Sequence, residues 1–223
     1  MKYNSYYHAI MFDFDGTLVD TMHEYAMIAA QEMAVLYDLP LETARQLYME
    51  TSGIPFFQQL VTLFGDDSRN EICSNQFEAR KALYLEGVRL SPLTISVLEE
   101  IRSMGLSIAI TSNNFQYLLD RFIVGEKRLF DLVLGFGETY NKGPSQFTHV
   151  IDTFGVDRRY IVLVGDSISD ARKALAFGID FIAISGTVKP EAFTSLFPSV
   201  TVIDSLSELT DLLTHNRPIK GIR

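Results

Sequence analysis

Short apolar runs recur along the chain, and each ends abruptly at a polar residue or a glycine. The runs are rich in β-branched and aliphatic side chains, and segments with helical spacing lie between them. Buried strands that alternate with helices predict a parallel α/β sheet. We predict five strands at residues 8–12, 106–110, 131–134, 160–164 and 180–184, with residues 201–203 as a sixth strand at one edge.

The segment between the first and second strands departs from this alternation. Its apolar residues recur at helical spacing, and it carries almost no strand signal. Thr21 and Glu24 have the spacing of a capping box, which predicts the start of the first helix. We therefore expect an all-helical cap at residues 20–91, inserted into an α/β core made of residues 1–19 and 92–223. Turn residues separate the helices of the cap and close it, at Pro40, Gly53-Ile54-Pro55, Gly65-Asp66-Asp67 and Ser91-Pro92.

The composition is that of an ordinary globular protein. Of the 223 residues, 47% are apolar and 21% are charged, so the chain can bury a large core and is not typical of a disordered protein. The net charge of -9 argues against binding to nucleic acid or to an anionic membrane, because both need clustered lysine and arginine. A phosphate-bearing ligand would therefore need positive charge supplied locally, by a bound cation or by well-placed bases.

The sequence also bears on cellular location. The single cysteine, Cys73, excludes an internal disulfide and a cysteine-rich metal cluster, and it suits a reducing compartment. The apolar stretch at residues 9–12 is far too short for a signal peptide, and no apolar run is long enough to span a bilayer. We expect a soluble, cytoplasmic protein.

The C-terminal tail carries three basic residues, Arg217, Lys220 and Arg223. We predict a solvated terminus, with a basic binding arm as the alternative.

The most informative segment is Asp13-Phe14-Asp15-Gly16-Thr17, directly after the first strand. Ligands of open α/β sheets bind beyond the carboxyl ends of the strands, so the position of the segment agrees with its chemistry. A purely structural turn, with Gly16 at positive φ, is the alternative. That alternative does not explain carboxylates at positions i and i+2, which repel each other unless a cation or a shared proton separates their roles.

A second acidic segment, Gly165-Asp166-Ser167-Ile168-Ser169-Asp170, ends the fourth strand and opens a helix. Asp166 and Asp170 are four residues apart, so on a helix they face the same side. Together with the two carboxylates of the first segment they would form an oxygen-rich site suited to a hard dication. Capping of the helix by Asp166, Ser167 or Ser169 is an equally good interpretation of this segment in isolation.

Two quieter positions follow the second and third strands. Thr111-Ser112-Asn113 offers hydroxyl and amide donors, and Lys142 lies in a polar loop. Taken singly, the first is better read as a helix N-cap and the second as a solvated charge. Taken together, each lies just beyond the end of a different parallel strand, where one pocket would collect them.

The order of these motifs resembles the haloacid dehalogenase-like (HAD) hydrolase superfamily: D-x-D-G-T, a strand-terminal Thr or Ser, Lys, then G-D-x-x-x-D. The resemblance covers essentially the whole chain. The helical insertion after the first strand resembles the C1 cap of the phosphoglycolate-phosphatase and phosphomutase branch. The resemblance implies a Rossmann-like parallel sheet with strand order 5-4-1-2-3 and a mobile cap that closes over the active site.

The resemblance also implies a role for each motif residue. Asp13 is expected to be the nucleophile, and Asp15 the general acid that protonates the leaving oxygen and then activates water. Mg²⁺ is the expected cofactor, held by the Asp13 carboxylate, the Asp15 backbone carbonyl and Asp166, while Asp170 acts through water or holds the lysine. The expected substrate and phosphate binders are Phe14, Thr111, Ser112, Asn113 and Lys142. The sequence Lys142-Gly143-Pro144-Ser145 departs from the commoner Lys-Pro-x-Pro of the family, which leaves the register of the lysine open.

We therefore expect a Mg²⁺-dependent phosphomonoester hydrolase that acts on a small phosphorylated metabolite through an aspartyl-phosphate. It should bind neither nucleic acid nor membrane and should be a monomer or a weak homodimer. A phosphomutase of the same superfamily is the alternative. Tyr25 and Phe56 stand where the sugar phosphomutases of the family have His and Arg, which favours hydrolysis, although His23 lies close to the first of these positions.

Other activities of the superfamily fit the motifs less well. The dehalogenase branch lacks the second Asp and needs no metal, and phosphonatases normally have Ala in place of Asp15. A non-catalytic protein on the same fold would not need every catalytic position to be occupied. Substrate specificity is expected to come from the cap loop at residues 51–57, with Gly53 as a hinge, although Phe56 and Phe57 are better read as cap core.

Overall fold

The computed structural model describes residues 5–137 and 140–214. The chain forms two compact units, of which one is Asp20–Val88 and the other is made of the chain before and after it. The predicted division into a core at residues 1–19 and 92–223 and a cap at residues 20–91 stays a prediction. The basic C-terminal residues Arg217, Lys220 and Arg223 lie outside the described residues.

Six strands form one parallel sheet. Their order is β3-β2-β1-β4-β5-β6, so the predicted order 5-4-1-2-3 is confirmed, and the sixth strand lies at an edge beside β5 as predicted. Observed and predicted strand ends agree within two residues except in β2, which is five residues longer at its carboxyl end. The strands are β1 (Ala9–Phe12), β2 (Ser107–Phe115), β3 (Leu132–Phe136), β4 (Ile161–Gly165), β5 (Asp180–Ile184) and β6 (Thr201–Ile203).

The unit Asp20–Val88 contains helices without strands among its residues, which confirms the predicted helical insertion after β1. Its helices are separated at the turn residues that the sequence indicated. They are α1 (Met22–Tyr37), α2 (Leu41–Glu50), α3 (Phe56–Phe64) and α4 (Arg69–Gly87).

The start of α1 corrects one prediction. Thr21 is the N-cap residue, as predicted, but its side chain makes no capping hydrogen bond to the helix, so the capping box with Glu24 is not formed. The backbone of Thr21 is close to helical, with φ -111° and ψ -16°. Side-chain capping normally requires an extended N-cap residue, so this backbone conformation accounts for the missing bond.

A separate apolar core holds the insertion together. Tyr25, Met33, Leu60 and Phe77 are buried within it, and the rings of Phe56 and Phe77 lie 4.3 Å apart between centroids. The interpretation of Phe56 as cap core is therefore confirmed. For its neighbour Phe57 that interpretation is wrong, because 47% of Phe57 is exposed. Consecutive residues of a helix point about 100° apart, so Phe57 is turned away from the side of α3 on which Phe56 meets the core.

Helices connect the strands of the sheet and cover it. The helix after the insertion begins at Pro92, and Ser91 caps it by accepting a hydrogen bond from the backbone N–H of Thr94 at 3.0 Å. The predicted close of the insertion at Ser91-Pro92 is thus confirmed. The helices of the unit that contains the sheet are α5 (Pro92–Ser103), α6 (Gln116–Phe122), α7 (Pro144–Phe154), α8 (Ile168–Phe177), α9 (Pro190–Leu196) and α10 (Leu209–Leu213).

Burial of the central strands fixes where the strand ends lie. All four residues of β1 and all five of β4 are buried, as expected for parallel strands covered on both faces. Met11 and Leu163 pack in one core cluster with Phe147 of α7, Phe181 of β5 and Phe193 of α9. Because a shift of one residue would exchange the two faces of a strand, this packing specifies the register of the sheet and hence the position of each strand end.

In the described part of the chain, every helix is too short or too polar to serve as a membrane span.

Cys73 is buried in the core of the insertion as a free thiol.

Gly135 of β3 lies where strand and helix backbones approach closely. A Cβ atom at this position would lie 2.6 Å from the Cα of Gln116 and 2.8 Å from the backbone oxygen of Asn114. These neighbours are backbone atoms, so they cannot move aside as the end of a flexible side chain could. The glycine is therefore required for the packing of β3 against the end of β2.

We predict that Gly135→Ala lowers the free energy of unfolding by about 1–3 kcal/mol, because the added methyl group overpacks this contact. Urea unfolding of the two proteins measures the difference. Gly125→Ala is the matched control, because a Cβ there meets no atom within 4 Å. An unchanged urea midpoint for Gly135→Ala would show that the two backbones can separate at little cost.

Candidate active site

The D-x-D-G-T segment forms a tight turn at the end of β1. Asp13 is the first residue beyond the strand, and its backbone N–H donates to the carbonyl of Val164 at 2.9 Å, which extends the pairing with β4 by one bond. Gly16 has φ 74° and donates from its backbone N–H to the carbonyl of Val19 at 2.8 Å. The positive φ favours glycine, and the turn holds Asp13 at the carboxyl edge of the sheet.

Lys142 lies between two carboxylates of this edge. Its Nζ atom is 2.7 Å from Oδ1 of Asp13 and 2.6 Å from Oδ1 of Asp170, and its side chain is almost fully buried. Gly143, with φ 141°, follows it, and Pro144 starts α7 directly afterwards. The structure thus brings Lys142 to the carboxylates despite the unusual loop sequence, and a solvated charge is not an adequate description of it.

The second acidic segment places two carboxylates beside the first motif. Ser167 caps α8, because its hydroxyl oxygen accepts a hydrogen bond from the backbone N–H of Asp170 at 3.0 Å. The helix start is therefore satisfied without the carboxylates of Asp166 and Asp170. Gly165 permits this arrangement, since a Cβ at that position would lie 2.9 Å from Oδ2 of Asp170.

Three carboxylates converge at this point. One oxygen from each of Asp13, Asp166 and Asp170 lies within 4.8 Å of the others. Oδ2 of Asp166 is buried and has no hydrogen-bond partner among the described residues, although buried polar atoms are normally paired. A group of carboxylate oxygens with an unpaired member fits a hard dication such as Mg²⁺, which takes oxygen ligands.

Asp15 is placed differently from the other three. Its carboxylate is not part of the acidic cluster, and its Oδ2 atom accepts a hydrogen bond from Nδ2 of Asn114 at 2.7 Å. This position agrees with a side chain kept away from direct metal contact. Metal binding through the backbone carbonyl of Asp15 stays a prediction.

Burial and mutual repulsion govern the charges of the site. Burial raises the pKa of Asp13 well above its usual value, and Asp170 and Asp166 raise it further, while Lys142 lowers it. Burial likewise raises the pKa of Asp166 to about 6, against the effect of a hydrogen bond from Thr187. Burial by itself lowers the pKa of Lys142, but the nearby Asp13 and Asp170 outweigh burial and raise it. The site therefore holds a charged lysine and too little positive charge for all its carboxylates.

The Thr111-Ser112-Asn113 segment lies within β2 and does not start a helix. The N-cap residue of α6 is Phe115, which makes no side-chain capping bond, so the N-cap interpretation of these three residues is wrong. The pairing of β2 with β3 shifts register between Thr111 and Phe115, which lets the strand continue past its predicted end. The hydroxyl of Thr111 is buried without a hydrogen-bond partner in the described part of the chain, so it can serve a ligand.

Phe14, a predicted phosphate binder, has its side chain in the protein interior. Its side chain is fully buried and packs edge-to-face on Phe122, with ring centroids 4.8 Å apart. A role of Phe14 in phosphate binding, which stays a prediction, would therefore have to use its backbone.

The structure brings three polar residues to the site that the sequence analysis did not select. Asn114 hydrogen-bonds Asp15, and Thr187 hydrogen-bonds Asp166. Gln146 on α7 is fully buried and donates from Nε2 to the carbonyls of Ser112 and Gly135 at 3.1 and 3.0 Å. Asn114 directly follows the Thr111-Ser112-Asn113 segment and could have been found by extending it, whereas no sequence signal marks the other two.

The pKa of Asp166 yields a testable pH dependence in metal-free buffer. A folded-state pKa near 6, above the unfolded value near 4, means that the folded protein binds a proton more tightly. This contribution to stability is present below about pH 4 and is lost as the pH rises through about 6. Asp166→Asn should therefore gain stability relative to the wild type over this range, by up to about 3 kcal/mol.

Urea unfolding in EDTA at several pH values measures the difference in unfolding free energy between the two proteins. Asp152→Asn, which makes the same chemical change at an exposed aspartate on α7, is the control variant. A pH-independent difference for Asp166→Asn would contradict the raised pKa.

Comparison with known protein families extends these observations. Residues 10–184 match the model of a family described as haloacid dehalogenase-like hydrolase. The matched range includes every residue of the acidic cluster, together with Asp15, the Thr111-Ser112-Asn113 segment and Lys142.

Individual proteins with known names or structures are also similar to this chain. A phosphoglycolate phosphatase from Nitrosospira multiformis is 31% identical, with 76% of this chain and 79% of the relative covered. A ribulose-1,5-bisphosphate 5-phosphatase from Halopiger xanaduensis is 27% identical, with 92% of this chain and 99% of the relative covered. The crystal structure of a haloacid dehalogenase-like family hydrolase from Streptococcus pneumoniae superposes with a TM-score of 0.77 at 20% identity, covering 93% of this chain and 98% of that one, which shows a shared fold.

Proposed function

This chain belongs to the haloacid dehalogenase-like hydrolase family, and from that premise we propose that it is a Mg²⁺-dependent phosphatase that hydrolyses a small phosphorylated metabolite through an aspartyl-phosphate on Asp13. It is a HAD-like phosphatase, distantly similar to the phosphoglycolate phosphatases. The observation that carries the finer proposal is the buried contact of Lys142 with Asp13 and Asp170, 2.7 and 2.6 Å away, beside a third carboxylate.

The acidic cluster would hold the metal ion. Asp13, Asp166 and Asp170 offer the converging oxygens, and the unpaired Oδ2 of Asp166 supports a ligand at that atom. When bound, Mg²⁺ supplies positive charge that offsets the repulsion between an anionic carboxylate and an anionic phosphate. A nearby cation also favours the ionised form of Asp13 and so opposes the effect of burial on its pKa.

In the first step a carboxylate oxygen of Asp13 attacks phosphorus. The new oxygen–phosphorus bond forms as the bond to the leaving oxygen breaks, and the electron pair of the broken bond passes to that leaving oxygen. Asp15 gives this oxygen a proton, so an alcohol departs. Lys142 and the hydroxyl of Thr111 are the donors proposed to bind the transferring phosphoryl group, whose equatorial oxygens carry negative charge.

In the second step water attacks the phosphorus of the aspartyl-phosphate. Asp15, now ionised, takes a proton from the water as the new bond forms. The bond between phosphorus and Asp13 breaks, inorganic phosphate leaves, and both carboxyl groups return to their starting states. The division into two transfers replaces one difficult displacement by two easier ones.

The phosphomutase alternative has less support. Tyr25 and Phe56, which replace the His and Arg of the sugar phosphomutases, are both buried in the apolar core of the insertion. Neither side chain offers a basic group at these positions. His23 is exposed on α1 and does not take the place of Tyr25 in that core.

The substrate class is proposed from the names of the relatives. Phosphoglycolate and ribulose 1,5-bisphosphate are small phosphorylated metabolites that these names specify. A panel of both compounds and a set of sugar phosphates, assayed for released phosphate with Mg²⁺, tests the proposal. Analysis of the organic product separates hydrolysis from mutase activity, because a mutase returns an isomeric phosphate ester instead of an alcohol.

We predict that hydrolysis of a generic phosphomonoester is abolished by EDTA and restored by added Mg²⁺. The reason is the repulsion between the three carboxylates and the dianionic phosphate, which Lys142 offsets only in part. Phosphate release is the readout. Full activity in the presence of chelator would contradict the metal site.

We predict that Asp13→Asn eliminates turnover, because the amide keeps the shape of the side chain but is not an anionic nucleophile. Asp15→Asn should lower turnover by about 10²–10⁴-fold, since general acid–base catalysis typically contributes this much. Steady-state phosphate release at several Mg²⁺ concentrations measures both effects and separates them from weaker metal binding.

Asp152→Asn serves as the matched control for these variants. It makes the same chemical change at an exposed aspartate in the last turn of α7 and should leave turnover unchanged. Near wild-type turnover by Asp13→Asn would show that another group is the nucleophile.

A further inference from the structure

Asn114 contacts the side chain that the proposed mechanism uses as acid and base. It lies near the end of β2, is 1% exposed, and donates from Nδ2 to Oδ2 of Asp15 at 2.7 Å. Its own backbone N–H donates to Oγ of Ser112 at 3.0 Å. The amide is therefore held at a fixed place on a strand of the central sheet.

We propose that Asn114 is a positioning residue for Asp15, an inference that rests on the proposed function. A carboxyl group turns about the bond that joins it to the side chain, and a hydrogen bond to one of its oxygens restricts this rotation. The hydrogen bond from Asn114 to Oδ2 thereby fixes the orientation of the carboxyl group that gives a proton to the leaving group and later takes one from water. Such placement matters because a small displacement of a catalytic group lowers the rate substantially.

The side-chain carbonyl oxygen of Asn114 is evidence against a merely structural role. Oδ1 of Asn114 is buried and has no hydrogen-bond partner among the residues that the structure describes. Native proteins pair most buried polar atoms, and leaving one unpaired costs stability. An asparagine kept only for packing could be replaced by an apolar residue that avoids this cost. The contact with Asp15 gives a reason for the amide.

The proposal makes a prediction about leaving groups. A phosphate ester of an ordinary alcohol needs a proton on its leaving oxygen, whereas p-nitrophenolate departs from p-nitrophenyl phosphate as a stable anion. Removing the Asn114 amide should therefore lower kcat/KM by about tenfold or more for an alkyl phosphate and by less than about threefold for p-nitrophenyl phosphate. Because kcat/KM covers steps only up to departure of the leaving group, later breakdown of the intermediate does not affect the comparison.

The experiment measures the ratio of the two kcat/KM values in one enzyme preparation. The alkyl phosphate is the most rapidly hydrolysed member of the substrate panel. Asn114→Ala and Asn114→Leu both remove the donor, and Leu keeps most of the volume. The ratio does not depend on the folded fraction of the preparation, so a variant that folds poorly still gives an answer.

Gln116→Leu is the matched control for a structural amide. Gln116 accepts a hydrogen bond from the backbone N–H of Gly135 at 2.6 Å and donates to the carbonyl of Val133 at 3.2 Å. Loss of the Gln116 amide should reduce the free energy of unfolding and leave the ratio of the two kcat/KM values unchanged. Both Asn114 variants are also combined with Asp15→Asn, because a residue that acts through Asp15 should add no further change to the ratio in that background.

The proposal is supported if both Asn114 variants shift the ratio in the otherwise wild-type enzyme and neither changes the ratio further in the Asp15→Asn background. An unchanged ratio in the Asn114 variants, with a shifted ratio in Asp15→Asn, would overturn the role of Asn114 and leave the proposed function standing. A further shift of the ratio when either Asn114 variant is added to Asp15→Asn would also overturn the role of Asn114. If Asp15→Asn itself leaves the ratio unchanged, Asp15 is not the general acid, and the role of Asn114 is overturned together with that step of the proposed mechanism.

Discussion

The buried ion pairs of Lys142 with Asp13 and Asp170 are the interaction on which the site depends. Desolvation of three charged groups is costly, and it is offset only when the charges are close and well placed. The distances of 2.7 and 2.6 Å meet that condition. The lysine also joins parts of the chain that are far apart in sequence, since it links the end of β1 to the start of α8. Without it, the acidic cluster would lose its nearest positive charge.

The sheet explains why these residues meet. β1 lies between β2 and β4, so Asp13 and Asp166, directly beyond β1 and β4, lie on the same edge of the sheet as the Thr111-Ser112-Asn113 segment of β2. Complete burial of the central strands fixes the register, and the register fixes each strand end. The apolar core thereby positions a polar site, at the cost of raising the pKa of Asp13 and Asp166. A bound cation would offset that effect of burial on both carboxylates.

Much of this arrangement could be predicted because it follows from local patterns. The strands, the helical insertion and the turn at Gly16 each depend on a few adjacent residues. The length of β2 could not be predicted, since it depends on a register shift against β3. The absence of a capping bond at Thr21 depends on its backbone conformation, which the sequence does not specify. Gln146 and Thr187 reach the site only through tertiary packing, and local sequence does not encode such contacts.

The aspartyl-phosphate on Asp13 is the central claim, and trapping it is the most direct test. Asp15→Asn should react with p-nitrophenyl phosphate, whose leaving group needs no proton, yet should be slow to hydrolyse the intermediate because its base is missing. Acid quench within a single turnover in Mg²⁺, followed by peptide mass analysis, should then find one phosphoryl group on the peptide that contains Asp13. Release of p-nitrophenolate within that turnover without a phosphoryl group on the Asp13 peptide would contradict the account, and the absence of a phosphoryl group from every peptide would indicate direct attack by water.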